Sequence, residues 1–274
     1  MMIGQQHIVD ELTKYSLENL PKTILLLGES GSEQFDVAKE VANHFNLELV
    51  TITTDDLVLN DSESKLMEYA KYPIDRFYYI NLPDFSFSAA GGARLEKILK
   101  YLEQPPMYMH FILEAESTIG LKDTLLNRCR KFTCAPYSEA QLKECEWMVR
   151  NPNDLVYKIC KTPGQLADVD GDQIQALFTL CDKIVSQVKK ASYANTLTLV
   201  AKVNCDKDET KFDFYQFFNT LEYVSFKKYI ETKDIDLYKL YMYINKTKQY
   251  YLNKKIAKEA FMLNFLDGLW RLEH

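Results

Sequence analysis

The chain has 274 residues, 47% of them hydrophobic and 26% charged, with a formal net charge of −6. That is enough chain for more than one domain and an ordinary globular composition. The acidic balance argues against a dedicated high-affinity DNA binder, which usually carries a basic excess, and it leaves room for a local basic patch.

Taken in order, residues 1–20 predict an amphipathic helix, because Ile8, Leu12, Tyr15 and Leu17 recur at near-helical spacing and Pro21 then stops it. Ile24–Leu27 is a continuous apolar run, the pattern of a strand covered on both faces. Further strands are expected at Leu49–Thr53, Phe77–Leu82 and His110–Leu113, with a short fifth around Phe132. Helices are expected between them at Phe35–Phe45, Glu63–Lys71 and Arg94–Leu102. Alternation of strand and helix predicts a parallel sheet, hence an α/β domain over about residues 1–135.

From Ser138 the pattern turns helical. Ser138-Glu139-Ala140-Gln141 is a capping box opening a helix to about Val149. Asp154–Cys160 follows, then a turn at Thr162-Pro163-Gly164 and a third helix from about Gln165, giving a small helical unit over 136–170. Asp168-Val169-Asp170-Gly171-Asp172 reads as a polar linker to a helical C-terminal domain over 171–271. Its expected helices are Gln173–Ala191, Tyr193–Val203, Phe212–Phe218, Asp236–Tyr251 and Lys254–Arg271, with a solvated loop at Asn204–Lys211. The last helix carries one stripe of Ile256, Ala260, Leu263, Leu266 and Trp270 and another of Phe261, Phe265 and Leu269, a face wide enough to need other helices or another subunit. Leu272-Glu273-His274 reads as the start of a vector-encoded polyhistidine tail. No signal peptide opens the chain and no apolar run would span a bilayer, so a cytoplasmic location is expected.

The strand, glycine turn and helix over Thr23–Val41 have the shape of a phosphate-binding P-loop, G-x-x-x-x-G-K-[ST]. With Gly28 as the first glycine, Gly31 falls on the tight turn. Glu33 then stands at the second glycine, Gln34 at the lysine and Phe35 at the hydroxyl that would hold Mg²⁺. A carboxylate at Glu33 is expected to repel a triphosphate, and Phe35 cannot ligate a metal. The end of the third strand, where an Asp-Glu pair would hold Mg²⁺ and polarise water, has Asn81 and Leu82. Two degenerate motifs at matching positions point to a nucleotide-site scaffold without its chemistry, so no cofactor and no metal are expected; a structural turn is favoured over weak phosphate or sulfate binding by Gly28 and Gly31 at the helix N-terminus. The six cysteines (129, 134, 145, 160, 181, 205) include no C-x-x-C pair, and the four histidines show no ligand spacing.

The stretch Arg94–Pro106, whose helix ends Leu102-Glu103-Gln104-Pro105-Pro106, leads into an apolar strand and then Asn127-Arg128-Cys129. With the opening Ile3-Gly4-Gln5-Gln6, these pieces resemble bacterial clamp loader subunits of the AAA+ class, whose box reads S-R-C. A spoiled P-loop beside a kept arginine box is similar to the delta prime type. The resemblance covers about residues 1–170, and the rest matches only in being helical. It departs from the family in lacking a cysteine-rich zinc module, in Glu114 and Glu116 after the fourth strand where a polar sensor would sit (Ser117 being the other occupant), and in Gln165-Leu166-Ala167-Asp168, which offers no basic second sensor in the few residues after Gly164.

That resemblance implies a structural subunit of the polymerase III clamp loader, an AAA+ domain and lid followed by a collar domain. Arg128 would be an arginine finger reaching ATP held by a neighbour; the alternative is an internal ion pair. Implied partners are the loader's ATPase subunits and a delta-like subunit, with the sliding clamp and primer–template DNA reached through the complex. Arg128, Arg130 and Lys131 form a basic cluster, read as a solvated loop rather than a DNA contact. Lysines 239, 246, 248, 254, 255 and 258, interleaved with tyrosines 238, 241, 243, 250 and 251, read as lysine stems over a tyrosine-rich core more than as a nucleic-acid surface. Competing readings are a clamp-opening delta-like subunit, an unusual nucleotide-binding AAA+ enzyme, and a free-standing scaffold or phage-type regulator.

Overall fold

The computed structural model describes residues 2–56, 65–82, 98–118, 121–167, 169–187 and 214–254, with positions 264, 265, 268 and 271. They fall into two compact units: residues 1–141 with 162–164, and residues 142–161 with 165–274.

The first unit is a five-stranded, wholly parallel sheet of order β2-β3-β4-β1-β5. Its strands are β1 (Thr23–Leu27), β2 (Glu48–Thr51), β3 (Arg76–Asn81), β4 (Met109–Ala115) and β5 (Arg130–Thr133). Each lies within about two residues of its expected place, and the α/β parallel sheet of the P-loop type, followed by a helical region, is what the sequence predicts. Alternate side chains go to opposite faces of a strand. Ile24, Leu26, Phe77, Tyr79 and Ile112 therefore pack under α1 (Gln6–Leu12) and α2 (Gln34–His44). Leu25, Tyr78, Ile80, Phe111 and Leu113 form the other core with Leu66 of α3 (Lys65–Ala70), Ile98 and Leu102 of α4 (98–103) and Leu125 of α5 (Asp123–Leu126). Residues 63–64 and 94–97 of the expected helices lie outside the described residues.

The first helix is shorter than expected. It ends at Leu12, and Thr13 donates its hydroxyl back to the Val9 carbonyl, a local bond that competes with the helix. Tyr15 and Leu17 still reach the core, from turns rather than helix.

The capping box forms as expected. The Gln141 amide donates to Ser138 Oγ at 3.3 Å, and the Ser138 amide donates to Gln141 Oε1 at 3.0 Å. The helix it opens, α6 (Glu139–Lys143), stops well before Val149. Cys145 turns into the core, and a single 3₁₀ turn, Glu146–Met148, follows.

In the second unit, α7 (Asp154–Ile159) is capped by Asn153, whose side chain accepts from the Leu155 and Val156 amides. The turn expected at 162–164 is partly helix, α8 (Pro163–Leu166). Asp168–Asp172 is not a linker among its described residues: Asp170 bridges to Arg150, and α9 (Gly171–Gln187) starts at Gly171. Helix α10 (Phe214–Thr232) runs far beyond the expected Phe218, and α11 is Ile235–Lys254. These three helices share a core of Leu177, Cys181, Phe217, Phe218, Leu240 and Ile244 with Phe265. The expected helix Tyr193–Val203, the loop Asn204–Lys211 and most of Lys254–Arg271 lie outside the described residues. Among the described residues no helix is long and apolar enough to cross a membrane.

Candidate functional site

The loop Gly28–Glu33 leaves the C-terminal end of β1 and enters α2. Gly28 donates its amide to the Ala115 carbonyl at 3.1 Å, and a Cβ there would stand 2.8 Å from Cys134 Cβ. Two backbone positions are left-handed, Gly31 at φ 81° and Glu33 at φ 63°. For a residue with a Cβ, that conformation costs about 1–2 kcal/mol. Glu33 thus adopts the shape that suits the glycine the motif calls for.

Its carboxylate turns to the chain itself. Glu33 accepts from the Ile3 amide at 2.9 and 3.1 Å, the Gly4 amide at 3.0 Å and the Tyr137 hydroxyl at 2.8 Å. Burial, with Glu33 close by, pushes the Tyr137 hydroxyl's pKa up, so it stays a donor at any physiological pH. Sequence reasoning expected Glu33 to act by repelling a triphosphate and missed these contacts, for which no local signal exists.

Gln34, in the lysine's place, is buried. Its amide donates to the Gly28 and Glu29 carbonyls at 3.1 and 3.4 Å. Phe35 is exposed and meets Tyr79 edge-on at 5.1 Å. From the other side, Thr162 Oγ1 donates to the Ser30 carbonyl at 2.8 Å and the Gly164 amide to the Gly31 carbonyl at 3.0 Å.

Asn81 closes β3, and Leu82 after it is buried. Register places Asn81 beside Glu114 of β4. The Asn81 Oδ1 atom is buried with no hydrogen-bond partner among the described residues. Glu114 lies inside β4 rather than after it, and only Glu116 follows the strand. Burial, reinforced by Glu116, pushes the Glu114 carboxyl up from 4.5 to about 7. Cys134 is pushed up to about 12, by burial first and then by Glu114 and Glu33. This end of the sheet, where ionised carboxylates would be needed to hold Mg²⁺, therefore favours neutral side chains.

Arg128 sits in the turn between α5 and β5, its amide bonded to the Leu125 carbonyl at 3.0 Å. Its guanidinium donates to the Thr124 carbonyl and lies 3.4 Å from Glu103 Oε1. The internal ion pair is thus present, but both side chains are substantially exposed, at 34% and 51%. Such a pair contributes about 0–1 kcal/mol, too little to keep the guanidinium from a phosphate. Arg130 and Lys131 are on edge strand β5, not in a loop; Arg130 lies over the Phe132 ring and 3.8 Å from Glu11.

Of the lysines in the tail, Lys248 is buried against Asn219 and Glu222, at 2.5 and 3.4 Å. Lys239 pairs with Asp236, and Lys246 is exposed. Tyr238 and Tyr241 pack with Phe226 and Tyr229, and Tyr243 stacks on Phe265. The side chains of Tyr250, Tyr251, Lys254, Lys255 and Lys258 lie outside the described residues. His110 is buried, and burial with nearby Lys22 lowers it to about 4.

No protein-family model matches the chain. The chain is 24% identical over 118 residues to DNA polymerase III subunit gamma of Buchnera aphidicola subsp. Baizongia pistaciae. That stretch is 43% of this chain and 29% of the relative. Among solved structures, a DNA polymerase III gamma subunit-related protein of Thermotoga maritima matches at 12% identity and a TM-score of 0.44, over 98% of this chain and 100% of that one. The sequence similarity is to a gamma subunit, spans less than a third of that relative's length, and does not single out delta prime.

Proposed function

We propose that this chain is a non-catalytic, delta prime-like AAA+ subunit of a DNA polymerase III clamp loader, acting in sliding clamp loading during replication. In this reading the chain hydrolyses no ATP. Residues 1–135 are the AAA+ domain, 136–170 its lid and 171–271 a collar domain. Its partners are the ATPase subunits and a delta-like subunit, with clamp and primer–template DNA met through the complex in the cytoplasm. Arg128 serves a neighbour's ATP.

The observation that carries the proposal is a contrast. The loop's chemical positions, Glu33 and Gln34, are spent on internal hydrogen bonds, while Arg128 stands half-exposed on a weak tether. A guanidinium so placed can release Glu103 and present its planar fork to phosphate oxygens.

The test is reconstitution with the cognate ATPase subunits and measurement of DNA-stimulated hydrolysis with wild type and Arg128→Ala. An arginine finger accelerates its site by about 10³–10⁵, so the single-turnover phase of one site is expected to disappear. An unchanged rate refutes the finger role. Micromolar binding of MgATP by the isolated chain would favour a nucleotide-binding enzyme instead.

A further inference from the structure

We propose that the Gly28–Phe35 loop is a self-liganded joint, in which Glu33 and Gln34 occupy the loop from within and tie three distant chain segments together. The proposal deepens the reading of the loop as one that takes no nucleotide and rests on it.

Three donors converge on one carboxylate: the Ile3 and Gly4 amides and the Tyr137 hydroxyl, all within 3.1 Å of Glu33 oxygens. Hydrogen bonds to an ionised acceptor are the stronger kind. A carboxylate held by three donors behaves as a bound anion, here supplied by the loop itself. Gln34 completes the closure: its buried amide takes the Gly28 and Glu29 carbonyls, which draws the first part of the loop onto the start of α2. The outer side is covered by Thr162 and Gly164, bonded to the Ser30 and Gly31 carbonyls. The spacing is too close for anything between them, since a Cβ on Gly164 would lie 2.4 Å from the Gly31 Cα.

Two consequences separate this joint from a merely spoiled site. First, Glu33 must hold the 3–4 segment in place. Second, a loop closed on itself in this way must take no external phosphate. The strained backbone at Glu33 fits the same picture, because a left-handed non-glycine residue persists where its surroundings over-determine it.

Amide hydrogen exchange on the isolated chain tests the first point. Glu33→Ala is expected to speed exchange at Ile3 and Gly4 at least tenfold, with the β1 amides unchanged. Tyr137→Phe keeps the ring that packs on Gly4 and removes one donor; it is expected to speed Gly4 exchange severalfold and guards against a misfolded Glu33→Ala. Unaltered protection at residues 3 and 4 in both variants overturns the joint. Titration with MgATP and with inorganic pyrophosphate tests the second point. No saturation by wild type is expected up to about 1 mM, which confines any affinity to Kd values above the millimolar mark. Saturation at micromolar concentration overturns closure. The exchange readout involves neither Arg128, nor nucleotide, nor any partner subunit, so failure of the joint there is distinct from failure of the proposed function.

Discussion

Glu114→Gln isolates one proton. In the unfolded chain Glu114 ionises near 4.5, whereas in the native fold burial and Glu116 hold the proton to about 7. A carboxyl with a raised folded pKa contributes stability that is complete below the unfolded value and is lost as pH rises through the folded one. Stability due to Glu114 therefore falls between pH 4.5 and about 7 and is flat above. At about 1.4 kcal/mol per pKa unit the full loss is about 3 kcal/mol, a ceiling because the carboxyl keeps some solvent contact. The other groups facing it are Glu116, the buried Cys134 thiol, neutral throughout this range, and Asn81 beside it in register. Glutamine mimics the protonated acid, with an N–H able to donate to the orphaned Asn81 Oδ1. Urea unfolding of wild type and variant at pH 4.5 and pH 8 gives the measurement. The two proteins are expected to be nearly equal at the acid end. Glu114→Gln is expected to be more stable by about 2–3 kcal/mol at the alkaline end. A difference of the same size at both pH values refutes the reasoning, since it would then reflect packing and not ionisation.

Two further substitutions probe the loop and the helical unit. Glu33→Ala forfeits the carboxylate contacts and keeps a Cβ in the left-handed region, so it is expected to lose about 2–4 kcal/mol; Glu33→Gly recovers about 1 kcal/mol of that, and the order of their urea midpoints checks it. The reverse order would show that the backbone at this position is not strained. Lys248→Ala removes the buried cation from Asn219 and leaves Glu222 with Lys161 at 3.3 Å, so it is expected to cost about 1–3 kcal/mol, whereas Lys248→Met, which keeps the volume, recovers part of it. Indifference of stability to Lys248→Ala would return that lysine to the solvated set.

The sheet was legible because buried parallel strands are continuous apolar runs, as Ile24–Leu27 and Phe77–Ile80 show. Short helices were less so, since their ends depend on tertiary turns: Cys145 goes to the core and breaks a helix that its local pattern would continue. Asp168–Asp172 looked like a linker because capping residues and linkers share one composition; Asp170 in fact accepts from the Asp172 amide at 2.9 Å. Helix α10 runs past Phe218 through the polar Asn219, Thr220 and Ser225, all three buried with partners of their own that no local pattern shows. At the candidate site, register alone identified Glu33, Gln34, Phe35, Asn81 and Leu82 as replacements of chemical groups. It could not say where the Glu33 carboxylate goes, because its donors lie 29, 30 and 104 residues away along the chain.

The contact between Gly31 and Gly164 carries a consequence for how this chain can drift. A Cβ on either would fall 2.4–2.6 Å from the other's Cα. In most crowded pairs a larger residue at one position is rescued by a smaller one opposite. Here both partners are already the smallest residue, so no compensating exchange exists. The two sites behave as a single locus, and a lineage that loses either glycine must move the loop itself.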